Sequence, residues 1–140
     1  PVSILVMMAP GRLQDSLLRL LASLPDVRAI HQAADVPAAQ ALLAHAAPQL
    51  LILDWERWGA EAEALLRQVR AQAPRLACVG VVSGPSQQAA AWQAGVETVL
   101  LRGFSVQEME AAVRRCAAPV GEPVEPPAGS GPGNGPADGA

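Results

Sequence analysis

Lysine and tyrosine are absent from this 140-residue chain, and aromatic side chains make up only 3% of it. No apolar run approaches the ~20 residues that a membrane-spanning helix needs, so no segment crosses a bilayer as a helix. Basic stretches are missing too. The ten basic residues are all arginines scattered from Arg12 to Arg115, and the net charge is −3, which argues against direct nucleic-acid binding. There are two cysteines, Cys78 in an apolar run and Cys116 on a helix-like segment. They have neither metal-ligand spacing nor a disulfide framework, and read as reduced, mostly buried thiols. The chain opens on Pro1-Val2-Ser3-Ile4-Leu5 with no basic flank and no small-residue cleavage site, the expected start of a processed cytoplasmic protein. Abundant Ala, Arg, Gly and Pro beside the missing Lys point to a GC-rich genome, a matter of ancestry and not of function.

What is present is a 51% hydrophobic composition, ample for one core in one domain. Short apolar runs alternate with amphipathic stretches five times, the rhythm of a parallel sheet with crossover helices. Residues 2–8 form a nearly unbroken apolar run, as a central strand covered on both faces requires. A helix over 11–24 follows, with Leu13, Leu17, Leu20, Leu21 and Leu24 at helical spacing and Pro25 as its stop. A weaker strand spans 27–31, and a helix with Pro37 in its first turn spans 37–45. The third strand, 50–53, leads into Asp54. A helix over 60–73 turns Ala62, Leu65, Leu66 and Val69 inward; the fourth strand covers 76–82; a short helix, 86–94, ends at Gly95. Thr98–Leu101 is the fifth strand. The last helix, 105–117, starts with a capping box of Ser105 and Glu108 and buries Val106, Met109, Val113 and Cys116. The folded unit thus spans 1–118. Beyond it, Pro and Gly make up 12 of the 22 residues of 119–140, the composition of a flexible tail or linker, with room for an output domain after it.

Open parallel sheets gather functional groups at the carboxyl ends of their strands. Those ends are Met8-Ala9-Pro10, Asp54, Ser83 and Arg102. Asp54 stands out as a lone carboxylate closing the run Leu50-Leu51-Ile52-Leu53, although a helix N-cap or a plain surface acid would read the same way. Trp55 and Trp58 fall in the loop after it, either as contact anchors or folded back over the sheet end. Glu56, two residues from Asp54, either adds a carboxylate near the site or, as the expected placement, points its side chain outward. His31 and His45 read as structural. No Ser/His/Asp or Cys/His arrangement is evident, which argues against an enzyme.

Over residues 2–117 the chain resembles a response-regulator receiver (CheY-like) domain. Leu51-Ile52-Leu53-Asp54 is similar to the family's phosphoacceptor strand, and Val81-Val82-Ser83 to the strand that ends in a conserved hydroxyl. The stretch from Ala94 through Gly95, Val96 and Glu97 to Arg102-Gly103-Phe104 is similar to the region that ends in a Lys-Pro pair. The resemblance implies an α/β, flavodoxin-like fold with strand order 2-1-3-4-5, helices 1 and 5 on one face and helices 2, 3 and 4 on the other. It makes Asp54 the phosphoacceptor equivalent, Ser83 and Arg102 the phosphoryl-contact equivalents, and Val99 the equivalent of an aromatic switch.

The departures from that pattern carry the functional expectation. The family's two metal-binding acids after the first strand are replaced by Met7-Met8-Ala9-Pro10, so no cofactor is expected and Mg²⁺ binding should be weak or absent. Phosphoryl transfer to a carboxylate depends on that cation. Arg102 keeps the lysine's charge with a wider, bidentate head, placed either against Asp54 or out in solvent. Gly103 removes the proline, Val99 cannot act as an aromatic rotamer switch, and the fourth helix is clipped. An atypical receiver acting through protein contacts is therefore expected, with a working phosphoacceptor modified by a histidine kinase as the alternative. A flavodoxin-like enzyme or nucleotide binder would need a phosphate loop that Met8-Ala9-Pro10-Gly11-Arg12 does not supply. The expected partner is another protein or a second copy, meeting the fifth strand and the last helix through Glu108, Arg114 and Arg115.

Overall fold

A strand buried on both faces needs apolar residues at every position, and the central segments have them. The computed structural model describes residues 2–117, and side chains through residue 115. In chain order the elements are β1 (Val2–Met7), α1 (Arg12–Ser23), β2 (Val27–Ala33), α2 (Val36–Ala46), β3 (Leu50–Asp54), α3 (Trp55–Gln72), β4 (Ala77–Val82), α4 (Pro85–Gln93), β5 (Thr98–Leu101) and α5 (Val106–Ala117). All strand pairings are parallel, and the sheet order is β2-β1-β3-β4-β5. This is the flavodoxin-like arrangement expected from the sequence. Residues 119–140, expected to be a flexible tail, lie outside the described residues, as does the side chain of Cys116.

Alternation along the strands feeds two cores. Ile4, Val6, Met8, Leu50, Ile52, Val79, Val81 and Leu100 pack with Leu17 and Leu21 of α1 and Met109, Ala112 and Val113 of α5. Leu5, Met7, Leu51, Leu53, Cys78 and Val82 pack with Ala39 of α2, the inner stripe of α3 and Ala91 of α4. The side-chain period of 2 thus assigns each strand residue to one helical layer.

Two expectations are corrected. No loop follows Asp54: α3 starts at Trp55, and of the two placements open to the tryptophans the structure shows the inward one, with both Trp55 and Trp58 buried in the core. Asp54 itself caps this helix, its side chain accepting from the Glu56 backbone N–H. Val106, expected on the inner face of α5, is 55% exposed. It sits in the first helical turn, past the end of the sheet, where it lines only a shallow cleft with Leu13 and Phe104. The capping box is present, with Ser105 N–H donating to Glu108 Oε1 (2.7 Å) and Glu108 N–H donating to Ser105 Oγ (3.1 Å).

Candidate functional site

Parallel pairing brings the strand ends to one edge. Met7 pairs with Leu53, which sets Met8-Ala9-Pro10 beside Asp54, while Asp54 pairs with Val81 on its other side. The Arg102 backbone N–H donates to the Val82 carbonyl (2.8 Å), continuing the β4–β5 ladder by one residue. Gly103 follows at φ +90°, a left-handed conformation that favours glycine, and turns the chain away towards α5. From that anchor the Arg102 side chain reaches across the end of β4.

It ends between two carboxylates. Arg102 Nη2 donates to Asp54 Oδ2 at 2.8 Å, and Arg102 Nε lies 3.1 Å from Glu56 Oε1. Asp54 Oδ1 accepts the Glu56 backbone N–H at 3.1 Å. Asp54 is only 3% exposed, whereas Arg102 and Glu56 keep much of their side chains in water. Each oxygen of the buried carboxylate therefore has a donor, which is what a buried charge requires. A cleft of about 420 Å³ opens beside the cluster, lined by Met8, Ala9, Pro10, Gly11, Arg12, Leu13, Asp54 and Arg102. Its charged groups are two guanidiniums and one carboxylate. Among the described residues, no three His, Cys, Asp or Glu side chains gather as a metal site.

The other residues singled out by sequence are placed as follows. Ser83 does not line this cleft; its N–H and Oγ both donate to Gln87 Oε1, at 2.9 and 3.0 Å, which ties it to the first turn of α4. Val99 is half-buried against the α2/α3/α4 core. Glu108 is engaged as the capping partner of Ser105, Arg114 pairs with Glu110 at 3.2 Å, and Arg115 is exposed. Of the two placements open to Glu56, the structure shows the one near the site: its backbone and side chain both join the cluster, with 52% of the side chain still exposed. It also missed Trp92 and Leu101, which stand 55% and 49% exposed. The signal for α3 was in the sequence: 55, 58, 62, 65 and 69 form one continuous stripe at helical period, so the tryptophans belonged to the helix.

A scan against models of known protein families finds no match, and a search of curated proteins finds none either. Solved structures do match in fold. A CheY-like protein (tadZ) from Pseudomonas aeruginosa is 21% identical with a TM-score of 0.69, over 83% of this chain and 99% of that one. A putative pilus assembly-related protein from Burkholderia pseudomallei is 21% identical with a TM-score of 0.70, over 84% and 90%. NtrX from Brucella abortus is 21% identical with a TM-score of 0.72; the match spans 83% of this chain and 26% of that one. The shared property is the CheY-like fold.

Proposed function

We propose that this chain is an atypical receiver-type module of a cytoplasmic signalling or regulatory protein, acting by protein contact with little or no Mg²⁺-dependent phosphorylation. The observation that carries the reading is the Arg102 guanidinium seated on Asp54 Oδ2 at 2.8 Å. A positive group already occupies the carboxylate that would take up a phosphoryl group, and Met8-Ala9-Pro10 line the space beside it. Mg²⁺ binds through several hard oxygens in octahedral geometry. The donors here do not fit it: Asp54 and Glu56 are both paired with Arg102, and Arg12 adds a second positive charge to the cleft. Asp54 instead serves as the cap of α3 and the anchor of Arg102.

The test is intact mass spectrometry of the chain treated with Mg²⁺ and acetyl phosphate. No adduct is expected. A stoichiometric phosphoryl adduct that disappears in Asp54→Ala would overturn this reading in favour of a phosphoacceptor modified by a histidine kinase, with Arg102 holding the phosphoryl group.

The contact surface belongs to β5 and α5. Leu101 and Val106 are exposed there, and acidic Glu108 and Glu110 precede basic Arg114 and Arg115 along the helix, a pattern complementary to itself when two copies pack antiparallel. Reversing the charge of Arg114 and Arg115 should weaken self-association in sedimentation runs and leave the circular dichroism unchanged. A chain that stays monomeric at high concentration would assign the surface to a different protein. One of the similar folds is described as pilus assembly-related, and a module that works by contact suits a regulator of such an assembly as well as it suits a transcriptional one.

A further inference from the structure

Two clefts adjoin each other at the carboxyl edge of the sheet. The one beside Asp54, of about 420 Å³, has Arg12 and Arg102 on its walls. The other, of about 180 Å³, is a trough between Leu13, Leu17 and Leu20 of α1 and Phe104 and Val106 at the start of α5. They share Leu13 and meet at the Arg102–Gly103 peptide. Their chemistry differs. No charged side chain lines the trough, and Ser16 is its single polar one. Of its apolar side chains only Leu17 is fully buried; Leu13, Leu20 and Phe104 are half-buried, and Val106 is 55% exposed. Next to this wet apolar surface stands an uncommitted positive charge. Arg102 is taken up by Asp54 and Glu56, whereas Arg12 makes no hydrogen bond or ion pair among the described residues.

We propose that the two clefts together form a regulatory binding site for a small amphipathic carboxylic acid, with its carboxylate on Arg12 and its apolar chain in the trough between α1 and α5. The proposal rests on the reading above that Asp54 stays unphosphorylated against Arg102, because a phosphoryl group there would fill the first cleft with negative charge. A guanidinium holds a carboxylate through two parallel N–H donors. Arg12 neutralises one negative charge and no more, so the dianion of a phosphate monoester would be left facing Asp54 across the cleft. Volumes of about 420 and 180 Å³ place the joined site among small-ligand pockets, which span roughly 300–1,000 Å³ and combine a mostly apolar lining with a few orienting polar groups. A chain laid against Val106 takes exposed apolar surface out of water. It also covers part of the surface at which β5 and α5 are proposed to meet a partner, so acid and partner oppose each other's binding, by the same factor in each direction.

The test is titration of the full 140-residue chain with sodium octanoate, followed by methyl and amide NMR. Saturable shifts are expected at Arg12, Leu13, Leu20, Phe104 and Val106. Acetate carries the head without the chain and should bind at least about tenfold more weakly; octanol carries the chain without the head and should bind about fivefold more weakly. Arg12→Gln should weaken octanoate by about the same fivefold and leave octanol unchanged. Ser16→Phe, which fills the trough from an exposed position, should abolish the shifts at Leu20 and Val106. Both variants should keep the circular dichroism of the unmodified chain. Octanol binding as tightly as octanoate, or shifts that never saturate, would overturn the proposal, and octyl phosphate binding more tightly than octanoate would overturn the carboxylate assignment. Absence of octanoate binding in a chain that takes no phosphoryl adduct overturns this proposal alone, whereas an adduct on Asp54 overturns the reading beneath it as well.

Discussion

The ends of β1 and β3 lie side by side at the same edge and are built in opposite ways. β1 runs out into Met8, 1% exposed and packed into the α1/α5 core, followed by Ala9 and Pro10. β3 runs out into Asp54, also almost fully buried, yet charged and held by Arg102, just past the end of β5, and by the Glu56 backbone N–H in the first turn of α3. The side chain at one end is held by apolar burial, the one at the other by replacing water with fixed donors. The difference teaches that a buried carboxylate at this edge is held because its donors come with it.

The comparison breaks most severely if the two ends are made alike. Met8→Asp puts a carboxylate into the apolar core with no donor arranged for it, and should cost about 3–5 kcal/mol. A fall in the urea midpoint with an unchanged m-value would measure it; a loss below about 1 kcal/mol would mean that the β1 end can hydrate or recruit Arg102. Removing the donor from the other end comes next. Arg102→Ala leaves Asp54 with the Glu56 N–H alone, and should cost about 1–3 kcal/mol, less than for a fully buried pair because Arg102 is 38% exposed and partly screened. Arg102→Lys should recover part of this, since one ammonium reaches Asp54 or Glu56 but does not span both.

A smaller effect separates the two roles of Asp54. Asp54→Asn keeps a side-chain acceptor for the Glu56 N–H and loses the ion pair, whereas Asp54→Ala loses both. The difference between them should be about 1 kcal/mol, the usual worth of an N-cap, read by thermal melts at matched conditions. The least effect is expected at Glu56→Gln. Its contact with Arg102 is half in water, so stability should shift by no more than about 0.5 kcal/mol. A loss like that of Arg102→Ala would show that the guanidinium is oriented by Glu56 as much as by Asp54.

How much of this could be read from sequence depends on the kind of signal. The strands were legible because the runs at 2–8, 50–53 and 76–82 are apolar but for Ser3 and because helical stripes separate them, whereas their order came only from the resemblance to receiver domains. Asp54 was legible as the lone polar residue closing such a run. The closeness of Arg102 to Asp54 was open in the sequence, since nothing in the local pattern says whether a long side chain at a strand end turns inward. The start of α3 was misplaced because Trp55 and Trp58 were read against a family turn instead of with the stripe they extend. Val106 was assigned inward because periodicity gives the angle of a residue around its helix but not how far the sheet beneath it reaches. Glu56 joined the cluster only because the helix begins at once after Asp54, so its placement depended on a boundary the sequence reading had put five residues later.

That immediate passage from Asp54 at the end of β3 to Trp55 at the start of α3 has a consequence for motion. In a chain with a loop at this point, the carboxylate could swing on nanosecond timescales without disturbing its neighbours. Here there is no slack. Asp54 is at once the last residue of the central strand and the peg on which the first turn of an 18-residue helix hangs, and the indoles of Trp55 and Trp58 wedge that turn into the core. To free the carboxylate, the helix must fray through two buried tryptophans, so opening becomes a rare, sub-global event. Amide exchange at Glu56 should then be slow, and should accelerate together with that of the residues that follow it in the helix.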